Sequence, residues 1–253
     1  MINYNSAMYR TKEFLAGGNV LNTIELNELR DYIKGNSLLH LQCHFGLDTL
    51  SWARLGAHVT GVDISSEAIS LAKKLANETN LQATFIESNI YELPEKLNEK
   101  FDVVFTSYGV LCWLHDLSQW GEIIAHFLKP NGIFYIAEFH NFIQVFDWDS
   151  EEDFELRYNY FHEDEPISYS VTGSYADSEE KIEEMKTYEW NHSLSDVINS
   201  LLSAGLQLEF FNEYPYGPFQ RFPFLKQSED GYWRYDNPDI QLPLVFTLLA
   251  TKK

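Results

Sequence analysis

From Ser37 to Phe139 the chain alternates short apolar runs with stretches of helical spacing. Ser37–Gln42, His58–Asp63, Ala83–Glu87, Phe101–Thr106 and Ile133–Phe139 read as five strands. Between the first two, Leu47–Arg54 reads as a helix. Ala68, Leu71, Ala72 and Leu75 then fall at i, i+3, i+4 and i+7, one face of a second helix. Ser65 or Ser66 is placed to cap it, because a hydroxyl there accepts from a backbone N–H that the first turn leaves unpaired. Leu117, Trp120, Ile124, Phe127 and Leu128 repeat the helical spacing, and Lys129-Pro130-Asn131-Gly132 predicts a stop and turn. Strands alternating with helices predict βαβ units. The expected fold class is therefore α/β: a Rossmann-like, doubly wound, mostly parallel sheet with helices on both faces.

The pattern breaks at Asn141. Residues 141–191 are acidic and aromatic, with strand-like runs at Ile167–Tyr175 and Lys186–Trp190, and read as an insert after the fifth strand. Regular spacing resumes where Ser193 and Asp196 take the positions of a capping box. Leu194, Val197, Ile198, Leu201 and Leu202 share a face there, and Gly205 suits the residue that ends a helix. Gln207–Tyr214 and Leu244–Thr251 read as final strands, separated by a long aromatic loop, 215–243, of a length often tied to function. The expected divisions are an N-terminal helical segment 1–36, a core 37–140, the insert 141–191 and a closing unit 192–253.

Composition narrows the partners. The 253 residues carry 18 Lys and Arg against 38 Asp and Glu, a formal net charge of -20. A surface that acidic repels phosphate backbones, so neither nucleic acid nor an anionic membrane is expected as a partner. The opening Met-Ile-Asn-Tyr-Asn-Ser lacks the basic and apolar regions of a secretory signal, and no run is long and apolar enough to span a bilayer. A cytoplasmic protein, monomer or homodimer, is expected. Cys43 and Cys112, the only cysteines, form neither a disulfide framework nor a zinc pattern, and no metal is expected.

The candidate chemistry lies where the first strand turns into the first helix, Leu38-Leu39-His40-Leu41-Gln42-Cys43-His44-Phe45-Gly46-Leu47-Asp48-Thr49-Leu50. Backbone N–H groups at such a junction face a ligand, and Gly46 allows a close approach. Asp63 ends the second strand about 17 positions after Gly46, near the spacing of a ribose-binding acid in nucleotide folds. These residues, with Gly56–Ser65, Glu87–Pro94, Phe101–Tyr108 and Phe127–Ile133, resemble class I S-adenosylmethionine-dependent methyltransferases in five pieces taken in order. The first piece is similar to that of a bacterial subgroup of small, largely uncharacterised members. The likeness covers roughly Ser37 to His140. It departs from the family at the first turn, usually an acid followed by Leu-Gly-Cys-Gly-x-Gly. Here His40 replaces the acid, and Gln42 and His44 replace two glycines.

The resemblance implies S-adenosyl-L-methionine as cofactor, with S-adenosyl-L-homocysteine as product, and a cofactor-binding core. Gln42, His44 and Gly46 would form the first turn, Asp63 would take the ribose, and Ile64 would lie against adenine. Asn89 would meet the adenine amino group, Ile90 would offer its backbone N–H, and Ser107 and Tyr108 would sit beside the methionine part and the methyl group. Transfer is an in-line displacement, for which alignment supplies much of the barrier lowering. His140 and His115 are the candidate bases, at the carboxyl ends of strands five and four. The stretch Ser107-Tyr108-Gly109-Val110 lacks the Asn/Asp-Pro-Pro-aromatic run of amino-methylases of DNA and of protein glutamine, and Cys112 lacks the preceding proline of cytosine-C5 enzymes. A small-molecule acceptor is expected, roofed by the insert and in part by the aromatic loop, with Tyr160, Tyr169 and Phe219 as candidate contacts. A non-catalytic S-adenosylmethionine-binding sensor remains open at this point. A nicotinamide enzyme fits less well, since Gly-x-Gly-x-x-Gly is missing.

Overall fold

A computed structural model describes residues 10–171, 185–237 and 239–253. Parts of the N-terminal segment (1–9), of the strand expected at 167–175 (172–175) and of the long loop (Pro238) lie outside the described residues. Seven strands form the main sheet: β1 Ser37–Leu41, β2 His58–Asp63, β3 Ala83–Glu87, β4 Phe101–Ser107, β5 Leu128–Phe139, and, beyond the insert's hairpin of β6 Ile167–Val171 and β7 Met185–Glu189, β8 Leu206–Tyr214 and, last in the chain, β11 Val245–Lys252. Two short strands, β9 Lys226–Gln227 and β10 Trp233–Arg234, pair within the long loop.

The sheet order is β3-β2-β1-β4-β5-β11-β8. The first five strands pair in parallel, and β11 runs antiparallel between β5 and β8. Strand order reverses between β1 and β4, the place where open α/β sheets leave a crevice beyond their carboxyl ends. The sheet is thus the Rossmann-like one expected.

Among the described residues there are seven α-helices: α1 Thr11–Leu15, α2 Thr23–Leu29, α3 Leu47–Arg54, α4 Ser66–Thr79, α5 Leu93–Lys96, α6 Leu117–Phe127 and α7 Leu194–Ser203. Local chemistry sets their ends. Ser65 Oγ accepts from Ala68 N at 3.2 Å at the start of α4, and Asp116 from Gln119 N at 3.0 Å at the start of α6. Ser193 and Asp196 form the reciprocal capping box of α7. One face of the sheet packs on α5, α6 and α7 around Trp120, Phe127 and Phe134; the other takes Leu29 of α2, Trp52 of α3, Phe105 and Tyr135. Helices α6 and α7 cross so closely at Gly121 that an added Cβ would lie 2.5 Å from the Ser200 carbonyl.

One expected turn is not one. Lys129–Gly132 lies inside β5, which begins five residues early, at Leu128. Phe101 pairs with Leu128, and then Val103 with Ile133, so the intervening residues bulge. Asn131 takes the left-handed backbone there (φ 63°), while Lys129 reaches back to Asp102 at 2.8 Å. The turn residues bend the strand's entry without ending the pairing.

The insert and the long loop make a second, aromatic core. Ile143, Val145, Phe146, Phe222, Leu225 and Leu244 are buried together, ringed by Phe139, Trp148, Phe154 and Tyr235. Neither segment has a regular apolar period of its own; each buries its rings against the other, beyond the carboxyl end of β5. No helix among the described residues is long and apolar enough to cross a membrane.

Candidate active site

The first turn has the backbone of a glycine-rich loop without most of the glycines. Gln42, His44 and Gly46 all have positive φ (57°, 50° and 77°). A left-handed conformation costs a non-glycine residue about 1–2 kcal/mol. Such strain persists only where surroundings enforce it, and it gathers at ligand sites. Gly46 has a further reason to be glycine: an added Cβ would meet the Phe85 ring at 2.7 Å.

Asp63 ties this turn to the end of β2. One carboxylate oxygen accepts from His44 N at 2.8 Å and the other from Ser65 N at 2.9 Å. Each oxygen can accept more than one hydrogen bond, so the carboxylate can still serve a diol. Next to it, Ile64 is 68% exposed, an apolar side chain standing where a flat ring could cover it. Gln42 donates its amide to the Val110 carbonyl at 3.0 Å, which fixes the orientation of the group. The other end, Oε1, is buried with no hydrogen-bond partner. A buried acceptor without a donor is costly unless a ligand supplies one.

The remaining expected residues lie at the carboxyl ends of β3 and β4. Asn89 caps a short 3₁₀ turn, its carbonyl accepting from Tyr91 N at 3.0 Å, and Ile90 follows, buried. Ser107 donates to Asp48 at 3.2 Å and Tyr108 to Glu25 at 3.0 Å. Burial pushes the Glu25 carboxyl up to about 8, with Asp48 nearby adding to the rise, and pushes Asp48 up to about 6. His44 is lowered by burial, with Asp63 opposing. His40, in place of the family's acid, is buried against Phe105, hydrogen-bonded to Thr49 at 2.8 Å and lowered by burial to about 3. It is a neutral packing residue.

The two candidate bases differ. His140 is buried, and its Nδ1 accepts from Phe142 N at 3.0 Å, so the proton resides on Nε2 and is given to Glu213 at 2.8 Å. Both ring nitrogens are engaged, and burial lowers its basicity despite Glu213. That geometry is a helix cap's. His115 is exposed, packed between Tyr91 (4.8 Å) and Trp190 (5.9 Å) at the mouth of the cleft.

Glu25 was not expected in the site, and Glu138, at the carboxyl end of β5, closes a polar network there. Glu138 is 2% exposed and accepts from the backbone N–H groups of Gly109, Val110, Leu111 and Phe139, holding the loop that follows β4. Glu25 sits in a capping box with Asn22, a spacing visible in the sequence as Asn22-x-x-Glu25. Its link to Tyr108 joins elements 83 residues apart, which no local pattern announces. Among the described residues no three His, Cys, Asp or Glu side chains are grouped to hold a metal ion.

Residues 39–136 match the family model described as a methyltransferase domain. A ubiquinone biosynthesis O-methyltransferase of Proteus mirabilis is 30% identical over 115 residues, 44% of this chain and 46% of that protein. The chain therefore spans about half the length of the curated relatives it matches. A solved putative S-adenosylmethionine-dependent methyltransferase from Listeria monocytogenes shares 18% identity with a TM-score of 0.62, covering 96% of this chain and 99% of its own. A Pyrococcus horikoshii protein gives 16% and 0.64, covering 99% and 94%. At such identities the structural likeness is one of fold. Residues 39–136, the sheet's first five strands and their helices, are thus similar to a methyltransferase domain.

Proposed function

We propose that the protein transfers a methyl group from S-adenosylmethionine to a small-molecule acceptor. The observation that carries this is the first turn: three left-handed residues, clamped to Asp63, with the buried Gln42 Oε1 lacking a donor. The cofactor has matching groups. Its ammonium supplies a donor for Gln42 Oε1, its ribose hydroxyls suit Asp63, and its adenine suits the exposed Ile64 edge. Asn89 and Ile90 border the adenine end, and Ser107 and Tyr108 the sulfur end. When bound, the cofactor supplies an activated methyl on sulfur.

The chain's own work is alignment and exclusion of water. Glu138 fixes the loop after β4 so that Gly109 borders the acceptor space. Phe219 of the long loop packs on Tyr108 (5.5 Å) and Phe139 (6.1 Å), which makes that loop part of the roof. Of the other two expected contacts, Tyr160 accepts at its hydroxyl from Leu194 N at 3.0 Å, and Tyr169 packs on Trp148 at 5.2 Å inside the insert. His115 is the better placed histidine to receive a proton. Held alignment of this kind can lower a barrier by several kcal/mol without a dedicated base.

Isothermal titration with S-adenosylhomocysteine and with NADH, beside transfer of labelled methyl to a small-molecule panel, tests the proposal. Saturable binding of S-adenosylhomocysteine and a labelled product are expected. NADH binding more tightly than S-adenosylhomocysteine would overturn it.

A further inference from the structure

The methyl-transfer reading leaves the acceptor open, and the roof narrows it. A small cavity lies just beyond Gly109, walled by Cys112, Phe139, Asn141, Gln144 and Trp190. It has room for about one water-sized group. Asn141 is 5% exposed, and its amide nitrogen donates to the His192 carbonyl at 2.6 Å. A carbonyl takes only a donor, so the orientation of the amide is fixed. Asn141 Oδ1 is then left buried with no partner, as is Gln144 Oε1. The cavity wall thus presents acceptors that want an N–H or O–H.

A wider recess of about 170 Å³ shares Trp190 and Asn191 with this cavity as walls. Its walls carry Glu163, Glu165 and Glu189 with the rings of Tyr158 and Phe161, and one cation, Arg157, which is paired with Asp147 at 2.6 Å. Glu163 takes a hydrogen bond from Asn159, yet none of the three carboxylates forms an ion pair among the described residues. The nearby Arg221 guanidinium is stacked over Trp148 at 4.4 Å and is 5.7 Å from the Phe139 ring. Its charge acts on Glu189, while Glu163 and Glu165 are exposed at the mouth. The acidic, ring-lined mouth and the donor-seeking inner end point to one chemical class.

We propose that the acceptor is a small primary or secondary amine, its N–H donated to Asn141 Oδ1 and any second cationic group held by Glu163 and Glu165. This rests on the methyl-transfer reading above. The neutral amine's lone pair forms the new C–N bond as the donor's C–S bond breaks and its electrons return to sulfur. The resulting ammonium then releases its proton to solvent. Aromatic rings and unpaired carboxylates both favour cations, and the overall charge of -20 draws them toward the surface.

Methyl transfer to benzylamine, phenethylamine and putrescine, set against phenol and benzoate, tests this with the full chain. Product is expected from the amines only. Asn141→Leu should raise KM for the amines at least tenfold with S-adenosylhomocysteine affinity unchanged by calorimetry. Glu163→Gln with Glu165→Gln should raise KM for putrescine at least fivefold more than for benzylamine; these two residues are at the surface, so the pair folds where Asn141→Leu does not. Transfer to phenol or benzoate alone, no transfer to any amine while S-adenosylhomocysteine still binds, or equal KM effects of the double variant would each overturn the amine assignment. Loss of S-adenosylhomocysteine binding in the parent protein would instead overturn the methyl-transfer reading beneath it.

Discussion

The proposed cofactor side, at the carboxyl ends of the parallel strands, and the proposed acceptor roof are built on opposite terms. On the cofactor side, Asp63 and Glu138 are held by backbone N–H groups of the sheet's own loops. Their positions follow from strand order. In the roof, rings of the insert and the long loop pack on one another, and polar atoms are left over: Asn141 Oδ1, Gln144 Oε1, Trp148 Nε1, Tyr169 OH and Arg221 Nε are buried without partners. Among the described residues only Gln42, Trp52 and Trp120 elsewhere contribute such atoms. Carboxylates that gather backbone N–H groups fix one region. The other is free to vary its chemistry, which suits a conserved chemical step applied to a particular acceptor.

The sharpest way to break the contrast is at Asp63. Asp63→Ala removes both backbone clamps and the ribose acceptor together, and should weaken S-adenosylhomocysteine binding by about 1–3 kcal/mol. Unchanged affinity by titration calorimetry, with the fold intact by circular dichroism, would remove Asp63 from the site. Phe219→Ala should do the reverse: lower acceptor turnover while cofactor affinity stays within about twofold, because the ring packs on Tyr108 and Phe139 and not on the first turn. A parallel loss of cofactor affinity would show that the two regions are one.

A smaller effect concerns Glu25, which links the N-terminal helix to Tyr108. Glu25, near 8, and Asp48, near 6, hold protons in the folded chain that the unfolded chain has already lost. Their contribution is complete below about pH 4 and is lost as pH rises toward 8. Glu25→Gln keeps the hydrogen-bonding shape and cannot ionise. It should match the parent's Tm near pH 4 and exceed it near pH 8.5. His40 and His192, lowered to about 3 and 4, act in the opposite sense below pH 6.5 and are common to both proteins. Equal Tm values at pH 8.5 would mean that Glu25 is not buried as charged-disfavoured. Smallest of all, His44→Gly should offset the left-handed strain and raise stability by about 1 kcal/mol, read as a denaturation midpoint. A loss of that size would show that the His44 side chain is held by more than it costs.

Much of the core was legible. The helix Leu47–Arg54 and the strands His58–Asp63 and Ala83–Glu87 have the bounds their spacing predicts, and the inner strand β2, buried along most of its length, reads as an apolar run. The first turn was legible through Gly46 and Asp63. What spacing could not show was that Gln42 and His44 keep a glycine's conformation, since side-chain identity argues against it. For His140, position at a strand end says nothing of what occupies its nitrogens; Phe142 N and Glu213, the latter 73 residues away, decide that. The bulge at Asn131 was hidden because Pro-Asn-Gly ends a strand as readily as it bends one. Glu138, Glu25 and the aromatic core depend on contacts distant in sequence, for which no period exists.

The central claim, that one crevice joins a backbone-built cofactor side to an acceptor roof, is tested most directly by a crystal structure with S-adenosylhomocysteine. Ribose hydroxyls are expected on Asp63, adenine over Ile64 beside Asn89 and Ile90, the ammonium on Gln42 Oε1, and the sulfur facing the cavity between Gly109 and Asn141. A ligand seated elsewhere, or one whose sulfur is walled off from that cavity, would contradict it.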